Sequence, residues 1–385
     1  MRINRPASLL LSITLLASVV VGYSTSASAA GNPNCDAVDG DYIISFTPGV
    51  SVDKEIKAAP GRSINAKHKY DKALNGFAAS LSAEQVCAFQ KRPNVEGIEL
   101  DGVASVDAVA SWGLDRIDQA SRPLDQTYSY VSNGTNVTAY VIDTGILTSH
   151  VEFAQRATWG TNTTGDGVNT DCDGHGTHVS GTIGGINYGV AKAVNLVAVK
   201  VLGCDGSGTW SGVIAGINWV INNHTTGKAV ANMSLGGSAS SLLDTAISNL
   251  VNDSVVTVVA AGNDGRDACR YSPARAASAV TVAASDSTDR LASFSNYGKC
   301  VDVVAPGVAI TSSIQTSTTA SASWNGTSMA APHVAGVIAR FLQGNSWTTS
   351  GSLPSNLFTP NKITLTSVAK SSGTPNRLLF MSPTL

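Results

Sequence analysis

From Val137 onward the chain alternates short, almost wholly apolar runs with longer stretches of helical spacing, and few folds accept that order. The strand candidates are Val137–Ile142, Leu196–Val201, Ala229–Ser234, Val255–Ala260, Val280–Ala284 and Val301–Val304. Between them fall the helical candidates His175–Ile183, Ser211–Asn223, Ser241–Val251 and Ser328–Leu342. Unbroken apolar strands are buried on both faces, so the pattern predicts a doubly wound, mostly parallel α/β sheet with helices on both sides. Ligands of such sheets bind beyond the carboxyl ends of the strands. Asp143, directly after its strand, and Asn263, three residues past Ala260, both lie there. Only 14% of residues are charged and the net charge is −2, which leaves no basic field for nucleic acid and no acidic tail.

The first 29 residues read as an address label. Arg2 and Arg5 precede an apolar run from Leu9 to Val21, too short to span a bilayer, and Ala27-Ser28-Ala29 offers a small-x-small cleavage site. A secreted, extracellular protein follows, with no membrane attachment once the signal is removed. Residues 30–105 form a second segment with denser charge: 8 basic and 10 acidic residues, against 15 and 17 in the 280 residues of 106–385. Tyr42–Phe46, Gly76–Leu81 and Val95–Leu100 are its strand candidates and Ser82–Gln90 its helix, an α+β pattern. Lying between a signal and an enzyme-like region, it is expected to be a removable pro-segment. No appended targeting or binding domain is expected after the core.

Export permits disulfides. Six cysteines divide into two early (Cys35, Cys87) and four late (Cys172, Cys204, Cys269, Cys300). Four cysteines allow three pairings, and spacing alone does not choose among them. No pair has CxxC spacing, which argues against a zinc site.

Three residue types that are unremarkable singly become informative in sequence. Ser328 sits at the start of a buried helix, with Pro332 expected in the first turn, beside unpaired N–H groups and the positive end of the helix dipole. Asp143 closes a buried strand, where a carboxylate needs partners. His175 stands between glycines at the start of another helix, which lets other groups approach the imidazole; His178 reads as a satisfied core histidine. Aspartate, histidine 32 residues later and serine 153 beyond that is the order found in subtilisin, not the chymotrypsin or lipase order.

Val141-Ile-Asp-Thr-Gly-Ile146, Gly174-His-Gly-Thr-His-Val179 and Gly326-Thr-Ser-Met-Ala-Ala-Pro-His333 resemble the subtilisin-like serine proteases. Trp112-Gly-Leu-Asp-Arg-Ile-Asp118, Tyr188-Gly-Val-Ala191 and Ser293-Phe-Ser-Asn-Tyr-Gly298 are similar to the proteinase K branch, including its aqualysin-like enzymes. The resemblance covers 106–385, and residues 30–105 resemble that family's inhibitory propeptide. It implies a triad of Asp143, His175 and Ser328, and an oxyanion hole of the Asn263 side chain and the Ser328 N–H. Gly206-Ser207-Gly208 and Ser234-Leu235-Gly236 would sandwich an extended peptide. Trp210 would line the pocket four residues before the cut, and Ala260, Ala261 and Gly262 would wall the primary pocket. Such small walls, with no acid evident, imply broad cleavage after apolar and aromatic residues.

The resemblance also implies structural calcium, with no cofactor for the chemistry. One site would use Asp302 with the carbonyls of Ala277 and Ala279, although Arg275-Ala-Ala277 stands where that family often has an acid and a proline. A second would use Asp115, Asp118, Gln119 and Asp125, with Thr127 where relatives often have asparagine. The pairings implied are Cys172–Cys204 and Cys269–Cys300, each closing a loop of about thirty residues worth ~3–4 kcal/mol. Cys35 and Cys87 would form a bridge within the propeptide. The expected molecule is a self-processing endopeptidase, monomeric, with protein substrates and its own propeptide as partners. The rivals are an exopeptidase on the same fold, for which no cleft-blocking insertion is visible, and a catalytically silent binding protein. Seven glycosylation sequons begin at Asn133, Asn136, Asn162, Asn223, Asn232, Asn252 and Asn325, of which Asn232 and Asn325 fall in motifs expected to be buried.

Overall fold

A computed structural model describes residues 35, 37–72, 74–100, 110–347, 353–365 and 373–384. The expected signal segment and the junction at Ser105 lie outside the described residues. The chain divides into two compact units, 1–105 and 106–385. Among the described residues no helix is long and apolar enough to cross a membrane.

The first unit is a four-stranded antiparallel sheet with two helices. Its elements are β1 (Gly40–Phe46), α1 (Val52–Lys57), β2 (Ala66–Tyr70), β3 (Gly76–Leu81), α2 (Ala83–Gln90) and β4 (Val95–Leu100), in sheet order β2-β3-β1-β4. Alternation along β1 sends Tyr42, Ile44 and Phe46 inward, where Phe77, Val86 and Phe89 complete the core. A capping box of Ser82 and Gln85 starts α2. Neither α1 nor β2 is evident from the sequence. The first buries no residue, and the second is a charged edge strand (Lys67, His68, Lys69) formed by pairing with β3. Cys35 and Cys87 are bonded.

The second unit opens with α3 (Trp112–Ile117), β5 (Val137–Asp143), β6 (Ala157–Asn162), α4 (His175–Gly184), β7 (Asn195–Lys200), α5 (Trp210–Asn223), β8 (Lys228–Met233) and β9 (Gly237–Ser238). It continues with α6 (Ser241–Asn252), β10 (Val255–Ala260), β11 (Tyr271–Ser272), β12 (Val280–Ser285), β13 (Val303–Pro306), β14 (Ile310–Ser313), β15 (Ser321–Trp324), α7 (Thr327–Gly344), β16 (Phe358–Pro360) and β17 (Arg377–Leu379). Nine strands form one sheet in the order β16-β17-β13-β12-β10-β8-β5-β7-β6, parallel except for the β16–β17 pair. The predicted doubly wound sheet is present. Alternation splits its two faces: Ala139, Val141, Val256 and Val258 join one core with α4 and α7, while Tyr140, Ile142, Val255 and Val259 join the other with α5 and α6. From β5 the chain first builds outward through β6 and β7, then returns to β8 and builds the other way. The strand order therefore reverses between β5 and β8, and a crevice opens there beyond the strand ends.

Three local readings need correction. The last strand candidate begins at Val303 rather than Val301, because the Val301 N–H is taken by Gly298 in a turn and Asp302 N–H by Thr281. Pro332 lies well inside α7, which starts at Thr327. Asn325 is exposed, unlike Asn232, which is fully buried.

Gly176 packs against the loop after β5 so closely that a Cβ there would lie 2.1 Å from the Gly145 carbonyl oxygen. A backbone oxygen has no rotamer through which to yield. Gly176→Ala is expected to cost at least the ~1–3 kcal/mol typical of overpacking, measured as a lower unfolding midpoint in a chemically inhibited preparation.

Candidate active site

Asp143 ends β5 with no solvent exposure. Its Oδ1 accepts two hydrogen bonds, from the Thr144 N–H at 2.7 Å and from His175 Nδ1 at 2.7 Å. The next residues hold it in place. Thr144 Oγ1 donates to Asp171 at 2.9 Å and accepts the Gly176 N–H, and Lys200 Nζ donates to the carbonyls of Thr144 and Leu202. Asp171 in turn accepts the N–H groups of Asp173, Gly174 and Thr177 and the Thr177 hydroxyl, shaping the loop that delivers His175 to the start of α4. Thr144, Asp171 and the buried Lys200 escaped the sequence reading. The glycines beside His175 also admit this close backbone packing: Gly174 adopts φ +111°.

Burial opposes the charged form of His175. The neighbouring Asp143 carboxylate, by charge and by hydrogen bond, with Asp173 and Asp171 farther out, outweighs it and holds the imidazole pKa above its ordinary 6.5. His178 is a buried core histidine, as expected. Trp324 stacks on it at 4.7 Å, and burial pushes it down to about 4.

Ser328 is the second residue of α7. Its hydroxyl donates to the Ser234 carbonyl at 3.1 Å, while the Ser234 hydroxyl donates back to the Ser328 carbonyl at 2.9 Å. The second bond has a clear cause: Pro332, four residues on, has no N–H to offer that carbonyl. Asn263, in the loop after β10, accepts the Thr327 N–H at 2.8 Å and the Thr327 hydroxyl at 2.9 Å on Oδ1. Its Nδ2 donor is thereby the free end. His175, Asn263, Trp324, Asn325, Ser328 and Met329 line one cavity.

Two further clefts adjoin it. The larger, about 740 Å³, is lined by Gly206, Ser207, Gly208, Trp210, Ser234, Leu235 and Gly236 together with Asp173 and His175. The smaller, about 300 Å³, is lined by Ala260, Ala261, Gly262 and the same Ser234–Gly236 segment, with Asn263 and Ser328 at one end. Its buried lining includes Ser272 and Ala274, which sequence reading missed, and an exposed acid, Asp264, also borders it.

Asp115, Asp118, Gln119 and Asp125 converge around one loop: the Asp125 N–H meets both Asp115 Oδ1 and Gln119 Oε1 at 3.3 Å. Burial first, then Asp115 and Asp125, pushes the Asp118 carboxyl up to about 6, and its buried Oδ1 has no protein partner. A cation would relieve both the repulsion and the orphaned oxygen, so this donor set fits a hard ion. Asp302 is half-buried beside the 277–281 segment, with Oδ2 accepting the Thr281 N–H at 2.8 Å; burial pushes it up to about 6. Cys172–Cys204 and Cys269–Cys300 are both bonded, the first joining the His175 loop to the Gly206–Gly208 segment.

Two family models match the chain: the subtilase family over residues 134–378 and the peptidase inhibitor I9 family over 42–107. An extracellular serine proteinase of Thermus sp. (strain Rt41A) is 51% identical over 320 residues, covering 81% of this chain and 76% of that protein. Alkaline serine exoprotease A of Vibrio alginolyticus is 48% identical, covering 83% and 60%. A cuticle-degrading serine protease of Arthrobotrys oligospora is 40% identical, covering 88% and 85%. The crystal structure of a cold-adapted subtilisin-like serine proteinase aligns with a TM-score of 0.66 at 48% identity, over 71% of this chain and 98% of that one.

A neutral imidazole is needed to accept a proton, so a raised His175 pKa moves the acid side of the activity profile upward. The limb of kcat/KM should therefore lie above 6.5, activity rising with pH through it. Asp143→Asn should remove that upward shift and, with His175 acting as the base, lower kcat by ~10⁴. Stopped-assay profiles on a chromogenic peptide read both.

Proposed function

The chain belongs to the subtilase family of serine proteases, and from that membership we propose a secreted endopeptidase that cleaves proteins through Asp143, His175 and Ser328 and matures from its own precursor. The observation carrying this reading is the 2.7 Å Asp143–His175 hydrogen bond, whose imidazole lines the same cavity as Ser328 and Asn263.

The chemistry follows from the groups present. Ser328 Oγ turns from the Ser234 carbonyl toward His175, gives up its proton and attacks the scissile carbonyl. Asp143 holds the imidazole tautomer and stabilises the imidazolium. The tetrahedral oxygen is held by the Asn263 amide and the Ser328 N–H. In subtilisin itself a donor like the former is worth about 10²–10³ in turnover. His175 then passes its proton to the leaving amine, and water hydrolyses the acyl-enzyme by the same route. The 300 Å³ cavity with Ala260, Ala261 and Gly262 takes an apolar or aromatic side chain before the cut. His175 borders two cavities, and that room for peptide favours internal cleavage over an exopeptidase.

Residues 30–105 act as an intramolecular inhibitor in this reading, supported by the inhibitor-family match, and are removed by cleavage near Ser105 after export. Asp115, Asp118, Gln119 and Asp125 would hold one calcium ion, and Asp302 with the Ala277 and Ala279 carbonyls another; their contribution is to stability, not to the reaction.

Intact mass of the secreted protein, with and without a fluorophosphonate and beside Ser328→Ala, tests the core of the proposal. Loss of residues up to about 105 and one adduct at Ser328 are expected. A full-length, unlabelled wild type would sink it, and maturation of the Ser328→Ala variant would assign processing to another protease. Chelation should lower the thermal midpoint, by about 2.7 kcal/mol of stabilisation for a site held at a hundredfold its dissociation constant. Asp118→Asn should shrink that response.

A further inference from the structure

The first unit carries a constraint that its family match does not include. Cys35, bonded to Cys87, lies ahead of the segment matched to the inhibitor family, 42–107. Little else holds this unit together. Its core is eight buried apolar side chains. No residue of α1 is fully buried, and α2 contributes only Val86 and Phe89 to that core. Phe89 closes on Phe46 and Phe77, with ring centroids 6.1 and 5.7 Å apart. Two ties run from the segment before β1 to α2. Asp39 Oδ1 accepts the Ala83 N–H at 2.7 Å in the first turn of the helix, an exposed hydrogen bond, and Cys35 is bonded to Cys87 farther along it. Units this small bury a low fraction of their surface and commonly depend on such a covalent staple.

The bonded cysteines are 52 residues apart, so the loop they close contains β1, α1, β2, β3 and the first half of α2. In the loop-entropy model a closure of that length favours the folded unit by about 10³-fold. Both cysteines are half-buried, within reach of a small thiol. The catalytic unit is less exposed to such an attack: its two bonds brace a nine-stranded sheet that has large cores of its own. We propose that the Cys35–Cys87 bond is a redox latch on latency: closed, it keeps the inhibitor unit folded; opened by a dithiol reductant, it lets the unit unfold, be digested and so release activity. The dithiol attacks one sulfur as a thiolate, forming a mixed disulfide and freeing one cysteine. Its second thiol then closes on the first, so the reductant leaves as a disulfide and Cys35 and Cys87 each keep a proton as thiols. Digestion follows because proteolysis tracks the unfolded population. This inference rests on the endopeptidase reading above and adds a control on how long its inhibitor lasts.

The test starts from the full-length Ser328→Ala precursor, folded and oxidised, then treated with dithiothreitol or left untreated, alkylated and desalted. Mass mapping of the alkyl groups reads which cysteines opened, and added trypsin reads how fast each unit is cut. Cys35 and Cys87 should be alkylated, and the first unit should then be digested about tenfold faster or more, with the catalytic unit cut at an unchanged rate. A Cys35→Ser/Cys87→Ser precursor should match the reduced form, and reducing the already folded protein keeps the test independent of how well that variant folds. In wild type, dithiothreitol should shorten the lag between processing, read by mass, and full activity on a chromogenic peptide. In wild type carrying the two serines the lag should be short and indifferent to reductant. Cysteines 35 and 87 that resist dithiothreitol in the folded precursor, a reduced unit digested no faster, or an unchanged wild-type lag each overturn this inference alone. A wild type without peptidase activity in either state overturns the endopeptidase reading and this inference with it.

Discussion

A carboxylate with no solvent exposure at the end of a central strand is the constraint around which this catalytic unit is arranged. Burying an unpaired charge costs several kcal/mol, so Asp143 must be supplied with donors. The Thr144 N–H and His175 Nδ1 provide them on one oxygen. Everything nearby then serves to hold those donors still. Lys200 fixes the Thr144 carbonyl, Asp171 fixes the Thr144 hydroxyl, and the same Asp171 gathers the N–H groups of the loop that carries His175. The imidazole is thus positioned by strand pairing between β5 and β7, where Asp143 lies opposite Lys200, and by one hydrogen-bonded loop.

Ser328 is held by a different device. Pro332 inside α7 deprives the Ser328 carbonyl of its helical partner, and Ser234, arriving directly after β8, supplies the missing donor. That exchange ties the start of α7 to the segment lining both clefts. A second tie runs from Thr327 to Asn263, so that the loop after β10 presents its amide N–H groups outward. Three loops from three parallel strands, β5, β8 and β10, meet one helix start. The reversal of strand order between β5 and β8 is what makes room for them.

Much of this was legible in the chain. Short, β-branched, mostly apolar runs such as Val255–Ala260 point to strands covered on both faces, and every helix predicted from spacing in the catalytic unit is present within a residue or two at each end. The helix placed at Ser82–Gln90 is present as α2, its start held by the Ser82–Gln85 capping box. Several of the missed strands share a cause. The β2 edge strand, the β14–β15 hairpin and the short β16 and β17 have little apolar periodicity and exist because a neighbour's unpaired N–H and C=O groups recruit them. Pro332 was misplaced because a proline in the first turn is the ordinary expectation, and only a tertiary donor makes an interior one tolerable.

Residue identity and order determined the family, the sheet and the chemical types available: an acid, a base, a nucleophile and a side-chain amide. Local sequence carries these because each depends on strand, turn or helix-start signals within a few residues. Tertiary structure alone decided which oxygens and nitrogens face one another. Asp171, Lys200 and Ser234 act across separations of 27, 56 and 94 residues from the groups they hold. No local pattern encodes such contacts, since they are made by the packing of elements whose positions the whole sheet fixes.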